Sequence, residues 1–277
     1  MTSATLPRRA RMPITLVMLL VSATIVYPLL YLGISAFRTK SDYLADPFGI
    51  PQEWTLQNFV TLWNNYNVGQ ALTNSFVVVI VGLFIQVVVG VLAGFALAKY
   101  PVPGGRLISA TFVSIMLVPS TVLIIPIYLL LAQLGLVSNL AGLIIVYVGT
   151  GLPFTTFFLT VSFRSIDESV LEAARIDGAG FVRTLAGVAA PMGISAIATI
   201  AVLQFLAMWN ELLYAYILLP DDQLRLITPT LASIGSRFVS DQPLVSAGLL
   251  ITAIPPLILL GLASRYVMSG VGASFGR

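Results

Sequence analysis

The sequence contains no cysteine and no histidine among its 277 residues. These absences exclude thiol nucleophiles, metal sites built from cysteine and histidine, and acid–base catalysis by imidazole. Only 9% of the residues are charged, whereas a soluble domain carries about 25%. Hydrophobic residues make up 58% of the chain, so its main solvent must be lipid. We therefore predict an all-α integral membrane protein.

A nucleotide-binding P-loop is also missing. That motif requires the pattern GxxxxGK[ST], and the two lysines, Lys40 and Lys99, follow Thr39 and Ala98 instead of glycine. Any ATP hydrolysis must come from another polypeptide, and we predict no catalytic residue, metal site or cofactor in this chain. The net charge of +3 comes from bases scattered between apolar runs, a pattern that does not indicate nucleic-acid binding.

Long apolar runs predict six transmembrane helices in a single membrane domain, residues 1–277. The expected spans are residues 13–37, 71–98, 107–132, 140–161, 192–219 and 243–268. The first run is too long for the apolar region of a signal peptide. Pro119 and Pro126 are expected to interrupt the third span, as is tolerated where helices pack or line a cavity. Gly90 and Gly94 form a small-xxx-small face in the second span, which allows close helix packing.

The basic residues predict which side of the membrane each connection faces. Ten of the fourteen lie in one set of segments: Arg8, Arg9, Arg11, Lys99, Arg106, Arg164, Arg175, Arg183, Arg265 and Arg277. The other set holds Arg38, Lys40, Arg225 and Arg237. The positive-inside rule then places both termini and residues 162–191 in the cytoplasm. Residues 38–70 and 220–242 lie outside, with a short interfacial helix expected over residues 56–63.

The cytoplasmic segment contains a helix-turn-helix pattern. Ser165 and Glu168 have the spacing of a capping box, which predicts a helix from residue 166 to residue 175 or 176. Asp177 and Gly178 predict a turn, because glycine accepts a positive φ. A second helix is expected from residue 179, followed by Pro191 in the first turn of the fifth span.

Two interpretations of this segment remain open on physical grounds. The residues around the turn are small: Ala173, Ala174, Gly178, Ala179 and Gly180. Small side chains let a backbone enter the cleft of another protein, and Glu172 offers a charge to a basic partner. An ordinary solvated loop with a capped helix fits the same residues.

The motif Glu172-Ala173-Ala174, with Asp177-Gly178-Ala179 and Pro191, resembles the EAA signature of permease subunits of binding-protein-dependent ABC importers. Collinear short matches over nearly the whole chain resemble the carbohydrate (MalG-like) branch of that family. They are Asn74-Ser75-Phe76, Ala98-Lys99-Tyr100, Pro126-Ile127-Tyr128, Leu152-Pro153-Phe154 and Trp209-Asn210-Glu211. The resemblance implies a type I ABC importer permease fold with a five-helix core at residues 70–268.

The resemblance also implies partners and residue roles. Residues 172–178 would be a coupling helix inserted into a cytoplasmic ABC ATPase dimer, which would bind the ATP and magnesium. The implied coupling residues are Glu172, Ala173, Ala174, Asp177, Gly178, Ala179 and Pro191. This chain would pair with a second homologous permease as a heterodimer and receive a sugar from an external solute-binding protein. It would be a multi-pass protein of the cell (inner) membrane, in contact with membrane lipid.

Four residues depart from the usual pattern of that family. Leu185 stands in place of an aromatic residue, Gly187 in place of a base, Ala190 in place of leucine and Asp167 in place of proline. All four lie outside the Glu-Ala-Ala and Asp-Gly core of the signature.

Polar residues inside the predicted spans are candidates for the translocation pathway or its gate. Glu211 is the only acid placed within a span. It lies eighteen residues after Gly193, roughly 27 Å along a helix and near the far side of the hydrocarbon. We therefore expect a structural or gating role for Glu211 ahead of direct sugar contact. Gln86, Gln204 and Asn210 could line a pathway, and interhelical hydrogen bonding fits them equally well.

Other functions fit parts of the sequence. The same machinery could import another solute, such as glycerol phosphate or a peptide. An ion-coupled secondary transporter typically has buried acids or unwound helices near mid-membrane, and no acid is predicted there. A structural or enzyme-anchoring membrane protein has no evident need for the cytoplasmic helix-turn-helix. We therefore predict a permease subunit of an ATP-driven sugar importer.

Overall fold

The computed structural model describes residues 8–235 and 241–275. All regular structure in these ranges is helical. The α-helices are α1 Arg8–Ala36, α2 Lys40–Ala45, α3 Gln57–Asn65, α4 Val68–Lys99, α5 Gly105–Met116, α6 Ile124–Gln133, α7 Leu140–Arg164, α8 Glu168–Ile176, α9 Phe181–Thr184, α10 Ala190–Met192, α11 Ile194–Trp209, α12 Leu213–Leu218, α13 Ile227–Gly235 and α14 Gln242–Phe275. A 3₁₀ turn covers Ser120–Leu123 and a π-helical turn covers Leu185–Ala189. Arg237 and Arg277, used above to predict orientation, lie outside the described residues.

Four of these helices have the length and apolar character needed to cross a membrane. They are Pro13–Ala36, Val68–Lys99, Leu140–Arg164 and Gln242–Ala263. Two bent pairs, Gly105–Met116 with Ser120–Gln133 and Phe181–Met192 with Ile194–Trp209, turn by 92° and 80°. The described residues therefore contain four spans, or up to six if each bent pair counts as one. The exact number of six spans stays a prediction.

The break in the third predicted span occurs at Pro119, as expected. Helix α5 ends at Met116, and the 3₁₀ turn begins directly after Pro119. Proline has no N–H to continue the helical ladder, so the chain changes direction here. The expectation for Pro126 is wrong. It lies in the first turn of α6, where an N–H would have no intrahelical partner, and the helix passes through it unbroken.

The fifth predicted span, residues 192–219, is wrong as a single helix. Helix α11 ends at Trp209, and the separate helix α12 begins at Leu213. At the other end, Pro191 lies in α10, before the bend at Gly193, and not in the first turn of α11. Gly193 is required there because a Cβ would lie 2.8 Å from the Phe163 ring.

Helices α4 and α7 pack backbone against backbone. A Cβ on Gly90 would lie 2.5 Å from Thr155 Cγ2, and one on Gly94 would lie 2.9 Å from Leu159 Cβ. These distances are shorter than real carbon contacts, so only glycine fits at both positions. The close packing predicted from the small-xxx-small face is confirmed. Helix α11 packs on the same pair, and this bundle belongs to the compact unit of residues 68–230 and 254–277.

Two short helices were not predicted from the sequence. Helix α2 follows α1, and α13 lies within the predicted loop 220–242. Pro229 in the first turn of α13 is a start signal that could have indicated it. The α13 backbone is tied down by a hydrogen bond of 2.9 Å from the Ile227 N–H to the Ser75 hydroxyl. The helix predicted over residues 56–63 is present as α3, Gln57–Asn65, and its position at the membrane interface stays a prediction.

The segment that follows α1 folds around Arg38, whose side chain is only 1% exposed. This segment lies in the other compact unit, residues 1–67 and 231–253. Arg38 Nε lies 2.9 Å from the Asp42 carboxylate. The guanidinium also donates to the carbonyl oxygens of Asp42, Asp46, Pro47 and Gly49 over 2.7–3.3 Å. One buried cation therefore satisfies four backbone acceptors that a loop would otherwise leave to water.

We expect Arg38→Gln to loosen residues 39–50, because the partly buried Asp42 carboxylate and four carbonyls would lose their donor. Losing one partner of a buried ion pair costs about 3–5 kcal/mol. Amide hydrogen exchange in this segment should therefore speed up strongly, while exchange in α4 and α7 stays slow. Lys40→Gln, two residues along, is the matched control and should leave exchange unchanged. Equal protection in wild type and Arg38→Gln would contradict this account.

Candidate functional site

Helix α8 begins at Glu168, not at Ile166 as the capping box predicted. Asp167 is its N-cap: the carboxylate accepts the Ser169 N–H at 3.0 Å and the Ser169 hydroxyl at 2.9 Å. These two hydrogen bonds lower the pKa of Asp167. Ser165 instead donates its hydroxyl to the Ser162 carbonyl at 2.7 Å. The residue that departs from the family pattern, Asp167, is therefore the one that starts the helix.

Helix α8 ends in the predicted turn at Asp177 and Gly178. Gly178 has a φ of +77°, a conformation that costs other residues about 1–2 kcal/mol. Its N–H donates to the Arg175 carbonyl, and the Ala179 N–H donates to the Ala174 carbonyl, both at 3.0 Å. This pair of bonds is a Schellman motif, which satisfies the last carbonyls of the helix. The turn prediction is confirmed.

One face of α8 is anchored in a buried cluster. Leu171 is fully buried there, and Leu185 from the π-helical turn is 6% exposed in the same cluster. The other members are Phe95, Leu159, Phe163, Ile166, Ala189 and Ile200. Burying a leucine side chain contributes about 1.5–3 kcal/mol. Leu185, at a position where the family usually has an aromatic residue, therefore belongs to the cluster on which α8 packs.

The first turn of α8 is held by Lys99 at the end of α4. Its ammonium donates to the Ile166 carbonyl at 2.6 Å and lies 3.5 Å from the Arg164 carbonyl and 3.3 Å from the Glu168 carboxylate. A cation at this position compensates the negative end of the α7 dipole and the free carbonyls that follow it. Sequence reasoning missed this role, although Lys99 is one of only two lysines and ends a long apolar helix.

Glu168 joins Lys99 to the last turn of α8. Its second carboxylate oxygen lies 3.1 Å from the Arg175 guanidinium. The Arg175 guanidinium in turn lies 5.5 Å from the centre of the Tyr100 ring, a cation–π distance. Tyr100 packs on Phe181 at 5.2 Å between ring centres. The Ala98-Lys99-Tyr100 motif therefore supplies two groups that hold the loop in place, the Lys99 ammonium and the Tyr100 ring.

The opposite face of the loop is open. Glu172, Ala173, Asp177 and Gly178 are exposed, and Ala174 and Ala179 are half-buried. Two apolar side chains flank this face with no partner to cover them: Ile176 is 86% exposed and Val182 is 70% exposed. A Cβ at Gly187 would meet no atom within 4 Å. The position where the family often has a basic side chain therefore has open space around it. Six of the seven predicted coupling residues therefore lie on or beside the open face. The seventh, Pro191, lies in α10.

Gln86 and Gln204 come together inside the bundle of α4, α7 and α11. Gln86 is fully buried and donates from Nε2 to the Thr155 hydroxyl at 2.6 Å, an interhelical hydrogen bond. Its Oε1 has no partner among the described residues. Gly151 makes room for both glutamines, because a Cβ there would lie 2.6 Å from Gln86 Nε2 and 2.9 Å from Gln204 Oε1.

Glu211 lies in the break between α11 and α12 and not within a span helix, which corrects the prediction. Its carboxylate accepts the backbone N–H groups of Tyr214 at 2.9 Å and Ala215 at 3.1 Å, and so caps α12. It also accepts the Tyr147 hydroxyl of α7 at 3.0 Å. Asn210 donates its amide to the Leu206 carbonyl at 2.8 Å. Both residues therefore terminate or start helices.

Comparison with known proteins assigns this chain to a family. The family model described as "Binding-protein-dependent transport system inner membrane component" matches residues 86–272. A diacetylchitobiose uptake system permease protein of Streptomyces coelicolor is 32% identical over 256 residues, covering 92% of this chain and 85% of the relative. A melibiose/raffinose/stachyose import permease protein of Bacillus subtilis is 25% identical over 261 residues, covering 94% of each.

A solved structure shares the fold. A chain from the crystal structure of a bacterial ABC transporter involved in import of the acidic polysaccharide alginate superposes with a TM-score of 0.81 at 21% identity. The match covers 96% of this chain and 100% of that chain. The protein belongs to the family of inner membrane components of binding-protein-dependent transport systems. It is a membrane permease subunit of an ABC importer and not an enzyme.

We expect Lys99→Met to release α8 from its seat. Hydrogen bonds to charged groups contribute about 1.5–3 kcal/mol, and the variant loses them at two carbonyls and one carboxylate. Amides of residues 166–176 should exchange at least tenfold faster, while those in the middle of α7 stay protected. Lys40→Met removes the only other lysine and serves as the control. If Lys99→Met leaves α8 as protected as wild type, the Lys99 contacts do not hold the helix in place.

Proposed function

We propose that this chain forms half of the translocation pathway of an ATP-driven sugar importer. The observation that carries the proposal is a firmly seated helix and turn, α8 and Gly178, whose outer face is open. This geometry occurs in a chain that belongs to a permease family and has no P-loop. Two relatives are named for uptake of diacetylchitobiose and for import of melibiose, raffinose and stachyose. We infer that the solute is likewise an oligosaccharide.

Helix α8 is the proposed coupling helix. Its partner would be a groove on a cytoplasmic ABC ATPase dimer, which holds the ATP and magnesium. The small residues Ala173, Gly178 and Ala179 let the turn enter a narrow cleft. Ile176 and Val182 would be buried on docking, at about 25 cal/mol per Å² of apolar surface, and Glu172 would pair with a basic group of the ATPase.

The contacts of α8 explain how movement of an ATPase would reach the membrane. Leu171 and Lys99 connect α8 to the ends of α4 and α7. On its other side the turn at Gly178 leads through α9 and α10 to the bend at Gly193 and so to α11. A displacement of α8 would therefore act on both sides of the bundle at once. If the loop were loosely attached, it would bend locally and the displacement would not reach the membrane helices.

The remaining partners and the orientation follow from the same proposal. A second homologous permease would complete the pathway as a heterodimer, and an external solute-binding protein would deliver the sugar. Both termini would lie in the cytoplasm, the side that the basic residues favour. Gln86 and Gln204 are the candidates for contact with a polar solute, because Gln86 Oε1 is buried without a partner. Glu211, which caps α12, and Asn210, which ends α11, would act on a gate by fixing the break between these two helices.

Glu172→Lys should leave the chain in the membrane and abolish ATP-driven uptake, because it reverses the charge on the open face. The ATPase subunits should co-purify with this variant in lower yield. Glu53→Lys, the same charge change at an exposed position in the other compact unit, should leave co-purification intact. Normal uptake by Glu172→Lys would exclude the coupling role.

Gly178→Pro should uncouple the transporter by a different route. Proline fixes φ near −65° and has no N–H, so it is incompatible with the φ of +77° and with the bond to the Arg175 carbonyl. Uptake and ATPase association should both fall in vesicle assays. Gly187→Ala is the matched control, because a Cβ fits there freely. Equal losses in the two glycine variants would contradict a specific role for the turn.

The sugar assignment has a separate test. The intact transporter, purified with its associated subunits in nanodiscs, should hydrolyse ATP faster when its binding protein carries a di- or oligosaccharide. Stimulation only by a binding protein loaded with glycerol phosphate or a peptide would keep the importer class and exclude the sugar.

A further inference from the structure

A groove with a charged mouth runs between α4, α5 and α7. It consists of a cavity of about 400 Å³ and a second of about 410 Å³. The two share Leu97, Ser109 and Arg164 in their walls, so they adjoin each other. All of the lining residues belong to the unit of residues 68–230 and 254–277. The groove is separate from the glutamines inside the bundle and from the open face of α8.

The groove as a whole is nearly as deep as a lipid leaflet, and the surface of its inner part is mainly apolar. The inner walls include Phe112, Val113, Phe157 and Val161, with the hydroxyl residues Ser109, Ser114, Thr156 and Thr160 between them. The lining of the two cavities together spans nine positions of α5, from 106 to 114, and nine of α7, from 156 to 164, which is eight rises on each helix. At 1.5 Å per residue this is about 12 Å. Half of a hydrocarbon core of about 30 Å is about 15 Å.

Two arginines stand at the mouth without a counter-charge. Arg106 at the start of α5 and Arg164 at the end of α7 both line the outer cavity. Neither guanidinium has a salt bridge or hydrogen bond in the part of the chain that the structure describes, whereas Arg38, Arg175 and Arg225 each pair with a carboxylate. Both residues are exposed, so water screens their mutual repulsion, and together they offer an anion two cationic groups at one cavity. Guanidinium groups bind phosphate through paired N–H donors.

We propose that this groove binds an anionic phospholipid. The phosphate lies between Arg106 and Arg164, and one acyl chain follows α5 and α7 toward Val113 and Phe157. A soluble anion would use the two arginines but would leave the apolar part of the groove empty. The mouth lies where α4 and α7 end and α5 begins, at a membrane boundary, and it carries the two arginines. Basic clusters at such a boundary attract the headgroups of anionic lipids.

The first test counts lipid on the intact transporter with its partner subunits. The complex is purified in phosphatidylcholine with graded phosphatidylglycerol, and bound lipids are measured by native mass spectrometry. Each arginine near a membrane surface contributes about 1 kcal/mol, which is about fivefold in affinity. We expect Arg106→Gln with Arg164→Gln to weaken phosphatidylglycerol binding about 25-fold. Arg183→Gln, on α9 and outside the groove, should change nothing. Unchanged binding in the double variant, or an equal loss with Arg183→Gln, would overturn the proposal.

The second test uses the unmodified protein and so does not depend on how the variants fold. Phosphatidylglycerol with a photoreactive group on its acyl chain is added to the complex, and the labelled residues are mapped. Labels should fall on the walls of the groove in α5 and α7, and excess phosphatidylglycerol should compete better than phosphatidylcholine. Labels elsewhere, equal competition by both lipids, or competition by inorganic phosphate alone would refute a phospholipid site. Crosslinks from the lining of the groove to the partner permease in the unmodified complex, formed with a bifunctional reagent and with no lipid adduct, would assign the groove to a protein interface and would equally refute the proposal.

Discussion

The loop that follows α7 has a fixed direction because the ammonium of Lys99 meets the chain where α7 ends. At 2.6 Å from the Ile166 carbonyl, this cation satisfies an acceptor that a helix end would otherwise leave free. Through Glu168 the same charge is linked to Arg175 at the far end of α8. The hydrophobic anchor Leu171 lies between these two points. A polar clamp and a buried leucine together turn a nine-residue helix, α8, into a rigid projection of the bundle.

The two faces of this projection have opposite chemistry. On the inner face, Leu171, Leu185 and Phe181 pack together with the Phe95 ring of α4. The outer face combines a carboxylate with an uncovered isoleucine at Ile176. A helix of this length is not stable in isolation, so its shape must come from the inner face. The outer face is thereby left free for recognition, and its residues can vary without unfolding the loop.

Some of these features could be predicted from the sequence and others could not. The turn at Gly178 was predictable because its requirement is local: few residues other than glycine adopt that φ. The start of α8 was predicted wrongly because Ser165 and Asp167 are both good caps, and the choice depends on where α7 ends. The break near Glu211 was hidden by apolar residues on both sides. The role of Lys99 was invisible, since its acceptor lies 67 residues further along the chain.

The glycines between α4 and α7 determine where this molecule is able to deform. With Thr155 and Leu159 pressed against Gly90 and Gly94, the two helices cannot roll over each other without atoms colliding. They behave as one rod. Changes of shape within this unit can then be taken up where its helices are interrupted, at the proline break at Pro119, the bend at Gly193 and the break between α11 and α12. Substitutions at these hinges should therefore alter the rate of movement more than its end states.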